Sequence, residues 1–464
     1  MTVSPATLDA VLAQVDADLD NSLDRLTALL AIQSISTDSA FAADCRRAAQ
    51  WLVDDLVAQG FAASARATPG HPVVVAHASA TQGPHVLFYG HYDVQPVDPL
   101  ALWHTDPFAA VIQTDAQGRR TIVARGASDD KGQLMTFIEA CRAWKAVNGT
   151  LPVRVSLLLE GEEESGGKNL PPFMVANADE LRADIALVCD TDMWDRTTPS
   201  ITTMLRGLVG EEIEITCAAR DLHSGMFGNA ARNPNQVLAE IIASLRAPDG
   251  SVTLPGFYDD VAEVPDAVKA QWQGLGFNET AFLAEAGLSI PAGESARSVL
   301  EQTWSRPTCE INGMIGGYTG DGFKTVIPAK ASAKISFRLV SGMSPDKIRA
   351  AFRQHVRSRI PADCSVTFKE HGGSAAITVP ADGIYLQQAL AALTGEWNKD
   401  AVITGSGGSI PVVGEFKSIL GMDTLLIGFA QVDDNIHSPN EKYDLDSFHR
   451  GIRSWARVLA AFAG

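Results

Sequence analysis

Histidines and carboxylates in this chain recur where an apolar run stops and polar residues begin. Val86-Leu87-Phe88-Tyr89-Gly90 leads into His91-Tyr92-Asp93, so His91 and Asp93 lie two apart, on one side of an extended chain. A carboxylate beside an imidazole fixes its tautomer, as a metal-ligating histidine requires; alone, the pair is equally a structural contact. Arg125-Gly126-Ala127-Ser128-Asp129-Asp130-Lys131-Gly132 puts adjacent aspartates in a glycine-bounded turn before a helix. Helix capping accounts for one of them. Glu160-Gly161-Glu162-Glu163-Glu164 places four glutamates in five positions after an apolar strand. The ordinary reading is a solvated acidic loop, but carboxylates packed at a buried strand's end need a cation. Ala186–Cys189 runs into Asp190 and Asp192, and Thr424–Phe429 precedes a loop with His437 and Glu441. Alone, His437 is an ordinary loop histidine.

Together the five segments supply His, Asp, Glu, Asp and His. Two imidazoles and three carboxylates suit zinc or manganese. With one carboxylate shared, such a set holds two metals ~3.5–4 Å apart. A carboxylate not used as a ligand is then free to act as general base toward water.

These residues need a scaffold. Apolar residues at steps of three and four predict a helix over 6–34 and another over about 40–59. Short buried strands are expected at Pro72–Ala76, Val86–Tyr89, Thr121–Ala124, Val153–Glu160 and Ile185–Cys189, with a helix at Gln133–Val147. Helices alternating with buried strands predict an α/β fold, a mixed, mostly parallel sheet sandwiched by helices. Ligands bind beyond the strand C-termini of such sheets.

After Arg206 the pattern changes. Val209–Cys217 and Ala331–Val340 alternate as half-exposed strands, Ser365–Lys369 is another strand, and Asn233–Leu245 and Pro345–Arg359 read as helices, the second capped by Ser344. From about residue 380 the first pattern returns, with helices Ile384–Asn398 and Asp446–Ala463 around the strand Thr424–Phe429. The expected division is a discontinuous domain, 1–206 and 374–464, interrupted by an inserted α+β domain, 207–373.

Composition narrows the function. Of 464 residues, 37 are Lys or Arg and 55 are Asp or Glu, a net charge of −18, which disfavours nucleic acid and anionic membranes as partners. Six cysteines with no CxxC spacing do not read as a disulfide framework or a cysteine zinc site. The acidic N-terminal segment is unlike a signal peptide, and no run has the ~18 apolar residues of a membrane span. A cytoplasmic location is expected.

The motifs GHYDVQP, RGASDDKGQ, LEGEEESGG, DTDM, LHSGMFG, KTVIP, GGSIPV and HSPNEK occur in this order. The set resembles the di-metal amidohydrolases that include aminoacylase, carboxypeptidase G and succinyl-diaminopimelate desuccinylase, and is most similar to cytosolic nonspecific, carnosine-type dipeptidases. The resemblance implies two divalent metal ions per subunit, zinc first, with manganese or cobalt as alternatives. It implies that His91 and Asp190 hold one metal and Glu164 and His437 the other, with Asp129 bridging. Glu163 would be the general base acting on a metal-bridging water, and Asp93 the carboxylate behind His91. A cis peptide would join Asp129 and Asp130. His223 would stabilise the transition state from a second subunit, through an inserted domain that serves as lid and homodimer interface. Arg338, Thr325 and Ser409 would contact substrate. Arg338 shares a polar strand face with Ser332, Lys334 and Ser336, and its guanidinium suits a carboxylate.

The activity this implies is hydrolysis of the amide bond of small peptides, most simply dipeptides. N-acyl-amino-acid deacylation and carboxypeptidase action are the alternatives within the family, and a non-catalytic binding protein is the alternative outside it. One motif departs: the dipeptidase-like members read Arg-Glu-Gly-Gly-Ser before Ile-Pro, whereas this chain reads Gly405-Ser406-Gly407-Gly408-Ser409.

Overall fold

Apolar periodicity coils the N-terminal segment into two helices, Pro5–Ala17 and Leu19–Leu30, rather than the one expected. The break is at Asp18, whose side chain bonds Asn21 and Arg25 and whose backbone leaves the helical region (φ −101°, ψ 8°). The computed structural model describes residues 3–78, 80, 83–408 and 410–464, so Ser409 lies outside the described residues.

The chain packs as two units. The first comprises Met1–Thr203, Val379–Thr404 and Glu415–Gly464; the second comprises Met204–Thr378 and Gly405–Gly414. In the first, the strands Arg154–Glu160, His85–His91, Ile185–Val188 and Thr424–Leu426 lie side by side and parallel. Antiparallel strands extend this centre: Val73–Ala78 and Ala62–Arg66 on one side, Ser200–Leu205 on the other. The helices Lys131–Asn148 and Leu445–Phe462 bring Phe137 and Trp455 onto the sheet. Phe137 stacks on Phe88 at 3.9 Å, and Trp455 meets both rings edge-on.

One expected core strand belongs elsewhere. Arg120–Val123 joins Val111–Thr114 and Lys442–Asp444 in a small antiparallel sheet. Asp129 therefore does not follow a strand of the central sheet; it sits just before the helix that begins at Lys131.

The second unit holds an antiparallel sheet ordered Thr308–Gly316, Lys330–Leu339, Gly207–Thr216, Ser365–Ser374. Helices Pro234–Ala243 and Pro345–Arg357 cover it, burying Ile213, Ile335, Phe337 and Phe352. The strand Thr308–Gly316 and the helices Asp266–Gly274 and Glu279–Glu285 were not expected. The strand carries a register shift between Ile311 and Gly313 and exposes Ile311, Met314 and Ile315, which erases the period of two. Among the described residues no helix is long and apolar enough to cross a membrane.

Glu211 is buried in this sheet and accepts from Arg349 Nε (2.9 Å) and Arg353 Nη2 (2.8 Å). Removing it takes from both guanidiniums their buried carboxylate partner and leaves them Asp346, Glu370 and the Gly372 carbonyl. Glu211→Ala should lower unfolding free energy by about 2–3 kcal/mol, discounted for the partial exposure of Arg353. Urea unfolding of the two proteins measures this, and a loss near zero would mean the pair contributes nothing net.

Candidate metal centre

Four parallel strands end at the same edge of the sheet, and each end carries polar residues to one place. His91 closes its strand opposite Glu160 in register, so the His91 turn and the glutamate run start side by side. Asp190 follows Val188 and is half-buried, whereas His437 comes from the loop after Thr424–Leu426 and is exposed. Asp129 joins them from the turn before Lys131, where two glycines have no substitute. Gly126 has φ +82° with Val94 against its open side, and a Cβ on Gly132 would collide with the Ala127 carbonyl oxygen.

Ligand-type atoms of His91, Asp129 and Asp190 lie within 4.8 Å of one another, and so do those of Asp129, Glu164 and His437. Asp129 belongs to both groups. His91 Nε2 is 3.0 Å from Asp129 Oδ1, and His437 Nε2 is 2.9 Å from Asp129 Oδ2 and 3.2 Å from Glu164 Oε1. Yet buried His91 Nε2 and Glu164 Oε1 make no hydrogen bond. Buried polar atoms that approach a counterpart without bonding it fit a cation between them. Imidazole nitrogen with carboxylate oxygen is the donor set of a divalent metal such as zinc.

The electrostatics agree. Burial, then the charge of Asp129, holds Asp190 well above the usual carboxylate range; burial does the same to Asp130. Burial also raises Glu163, opposed by His91 and reinforced by Glu164, Asp93 and Asp129. The facing carboxylates of Asp129 and then Glu164 push His437 up to about 10. So much carboxylate in one buried place calls for positive charge.

A second layer of contacts fixes these side chains. Asp93 stands behind His91, its Oδ1 3.4 Å from Nδ1, and its Oδ2 accepts from the Glu164 backbone N–H at 3.1 Å. Asp130 Oδ2 accepts from His91 N at 3.0 Å, and the Asp129–Asp130 peptide is cis. Gln95 Nε2 donates to Glu164 Oε2 at 2.8 Å. Members of the glutamate run face different partners. Glu160 accepts from the Tyr89 hydroxyl (2.6 Å) and Glu162 from Asn169 Nδ2 (2.7 Å), leaving Glu163 and Glu164 for the site. His437, Asn435 and Asn440 all have φ between 56° and 63°. Asn440 ties this loop down, accepting from His104 N (2.8 Å) and donating to the Leu102 carbonyl (2.9 Å).

Glu441 lies within the last of the sequence motifs, which assigns it no role. It is fully buried and accepts from the backbone N–H groups of Gly126 (2.9 Å), Ser128 (2.9 Å) and Asp129 (3.0 Å) and from Arg125 Nη1 (2.8 Å). Asp434, also buried, takes the Ser128 hydroxyl at 2.9 Å. The only sequence signal was that Glu441 follows His437 by four positions.

The remaining expected site residues belong to the second unit. His223 and Thr325 meet there, because Leu222–His223 pairs with Val326–Ile327 and Ser224 N donates to the Thr325 carbonyl (3.1 Å). His223 is exposed, and its Nδ1 accepts from Gly225 N at 3.0 Å. Arg338 is half-buried on the central strand Lys330–Leu339, and burial, then the charge of Arg338, pushes Arg206 down to about 10.

Residues 87–461 match the Peptidase family M20/M25/M40. The chain is 30% identical over 473 residues to the Cys-Gly metallodipeptidase of Schizosaccharomyces pombe, covering 98% of each. Among solved structures it is similar to an M20 family metallo-carboxypeptidase from Sulfolobus solfataricus (30% identity, 95% of this chain and 99% of that one, TM-score 0.79). It is also similar to human carnosine dipeptidase 1 (25% identity, 99% and 100%, TM-score 0.75).

Glu441→Gln removes one acceptor from the turn that carries Asp129. Metal retention under dialysis against a chelator should fall ~10–100-fold, as for other residues that orient a ligand from behind. Unchanged retention would take Glu441 out of that role.

Proposed function

The chain belongs to peptidase family M20/M25/M40, and from that premise we propose that it hydrolyses dipeptides with the help of two divalent cations. The reading rests above all on one observation: two ligand-type groups share Asp129, while Glu163 lies beside them with no ligand role assigned. His91 and Asp190 would hold one cation, Glu164 and His437 the other, with Asp129 common to both. Zinc suits this donor set best, and manganese or cobalt is the alternative. Bound cations would polarise the scissile carbonyl and acidify water.

Glu163 takes a proton from the attacking water on its carboxylate and delivers it to the leaving amine nitrogen. Its partial burial supports this role, since a carboxylate raised from its ordinary range takes the proton from water more readily. Asp93 keeps the His91 ring oriented. Arg338 receives the substrate carboxylate, with Thr325 and Ser409 as further substrate contacts. The expected setting is the cytoplasm. A second reading, carboxypeptidase action on longer peptides, is favoured by the likeness to the Sulfolobus enzyme.

Glu163→Gln should retain both metals and lose kcat by orders of magnitude, since the base goes and the ligands stay. Equal loss of metal would make Glu163 a ligand. A panel of free dipeptides, N-acetyl amino acids and longer peptides, run on the metal-loaded enzyme, separates dipeptidase from deacylase and carboxypeptidase. Preference for N-acetyl amino acids or longer peptides would overturn the dipeptidase reading.

The second unit acts as lid and homodimer interface. The strand Thr308–Gly316 lies at the edge of its sheet and exposes Ile311, Met314 and Ile315, an edge that a second copy would cover. Because His223 Nδ1 accepts a hydrogen bond, the neutral ring carries its proton on Nε2, a donor suited to a developing oxyanion in the partner's site. Subunit mixing tests this. His223→Ala and Glu163→Gln homodimers should each be nearly inactive, and re-associated mixed dimers should regain activity through one intact site. Mixed dimers that stay inactive, or a fully active monomer, would remove His223 from a role in trans.

A further inference from the structure

Four of the six cysteines, Cys45, Cys141, Cys189 and Cys309, are buried, and burial raises the thiol pKa of each. The other two, Cys217 and Cys364, are half-buried and belong to the second unit. They are 147 positions apart in sequence, yet their sulfurs lie 2.6 Å from each other.

The sheet register explains the meeting independently of that distance. Thr216 and Ser365 are cross-strand partners at the ends of antiparallel strands Gly207–Thr216 and Ser365–Ser374. The next rung outward is Cys217 opposite Cys364. Directly opposed residues on antiparallel strands have Cα atoms about 4.5–5.5 Å apart, within the span a disulfide bridges. Backbone bonds hold both ends, Cys217 N to the Ala329 carbonyl (3.0 Å) and Cys364 N to the Pro361 carbonyl (2.9 Å). The exposed Arg232–Asp363 ion pair (2.8 Å) lies beside them.

We propose that Cys217 and Cys364 are a modification site, a dithiol that low-molecular-weight disulfides oxidise to an intramolecular disulfide. In the first step the Cys364 thiolate attacks one sulfur of the small disulfide, forming a mixed disulfide and releasing one thiolate. In the second, the Cys217 thiol gives up its proton and attacks the Cys364 sulfur, releasing the other small thiol. Two electrons pass from the protein dithiol to the reagent, which leaves as two thiols. Burial and the adjacent Cys364 thiol raise Cys217 to about 12.

The bond would act as a staple. Its two strands lie near the two ends of Met204–Thr378, the segment that makes up most of the unit. Closing the long intervening loop restricts the unfolded ensemble of this unit.

Oxidised glutathione on the reduced, full-length protein tests the site, read by non-reducing peptide mapping. The wild type should yield a Cys217–Cys364 cross-linked peptide with the loss of two hydrogens, while Cys217→Ser should keep glutathione on Cys364. The cross-linked protein should melt roughly 5–10 °C higher than the reduced one, a shift absent in Cys217→Ser. A wild type in which both residues stay thiols, or in which glutathione accumulates without a cross-link, overturns the site. A cross-link without the melting shift overturns its role as a staple.

Discussion

Mutual repulsion among Asp129, Asp130, Asp190, Glu163 and Glu164 is the constraint that the first unit is arranged to meet. Buried carboxylates ionise only where positive charge or N–H donors face them. The helix beginning at Lys131 turns its positive end toward the two aspartates. His91 N donates to Asp130, and two imidazoles approach Asp129. What these groups leave uncompensated is gathered around Asp129, the carboxylate common to both ligand-type groups.

Sheet topology makes such crowding possible. Parallel strands send all their C-termini one way, so residues far apart in sequence arrive at one edge without a special route. The small sheet of Val111–Thr114, Arg120–Val123 and Lys442–Asp444 contributes differently. Its pairing sets Glu441 beside the turn before Asp129, and Ala124 N bonds the Glu441 carbonyl at 3.1 Å. The loop that supplies His437 thus also fixes the backbone of Asp129. Geometry at one ligand-type residue depends on the chain that carries another.

Sequence periodicity revealed the elements whose environment is uniform along their length. The central strands are buried on both faces and read as apolar runs, as at Ile185–Val188, and the helix Leu445–Phe462 keeps its apolar stripe throughout. Ligand-type residues were legible because polar groups ending apolar strands are physically anomalous. Of the features that were hidden, three have a physical reason. The kink at Asp18 depends on side-chain bonding that periodicity does not register. The edge strand Thr308–Gly316 is bulged and exposed, so it lacks alternation. Glu441 is buried in a polar loop and acts on backbone amides, which leave no trace in composition.

The departure at Gly405-Ser406 also has a packing explanation. A Cβ on Gly405 would meet Trp304 at 2.7 Å, and one on Gly407 would meet the Arg206 guanidinium at the same distance. Arg206 Nε donates to the Gly407 carbonyl at 3.0 Å, and Gly408 N donates to Ser406 Oγ at 3.1 Å. The indole therefore occupies the space an arginine side chain at 405 would need to leave the backbone. Arg206 supplies a guanidinium at the loop from the junction between the strands Ser200–Leu205 and Gly207–Thr216. An aromatic face and a backbone-anchored arginine replace the Arg-Glu pair of the dipeptidase-like members. The Arg206 and Ser406 hydrogen bonds hold Gly407 and Gly408, while positions 405 and 406 themselves carry no charge. The change at positions 405 and 406 thus follows from how Trp304 and Arg206 pack against the loop.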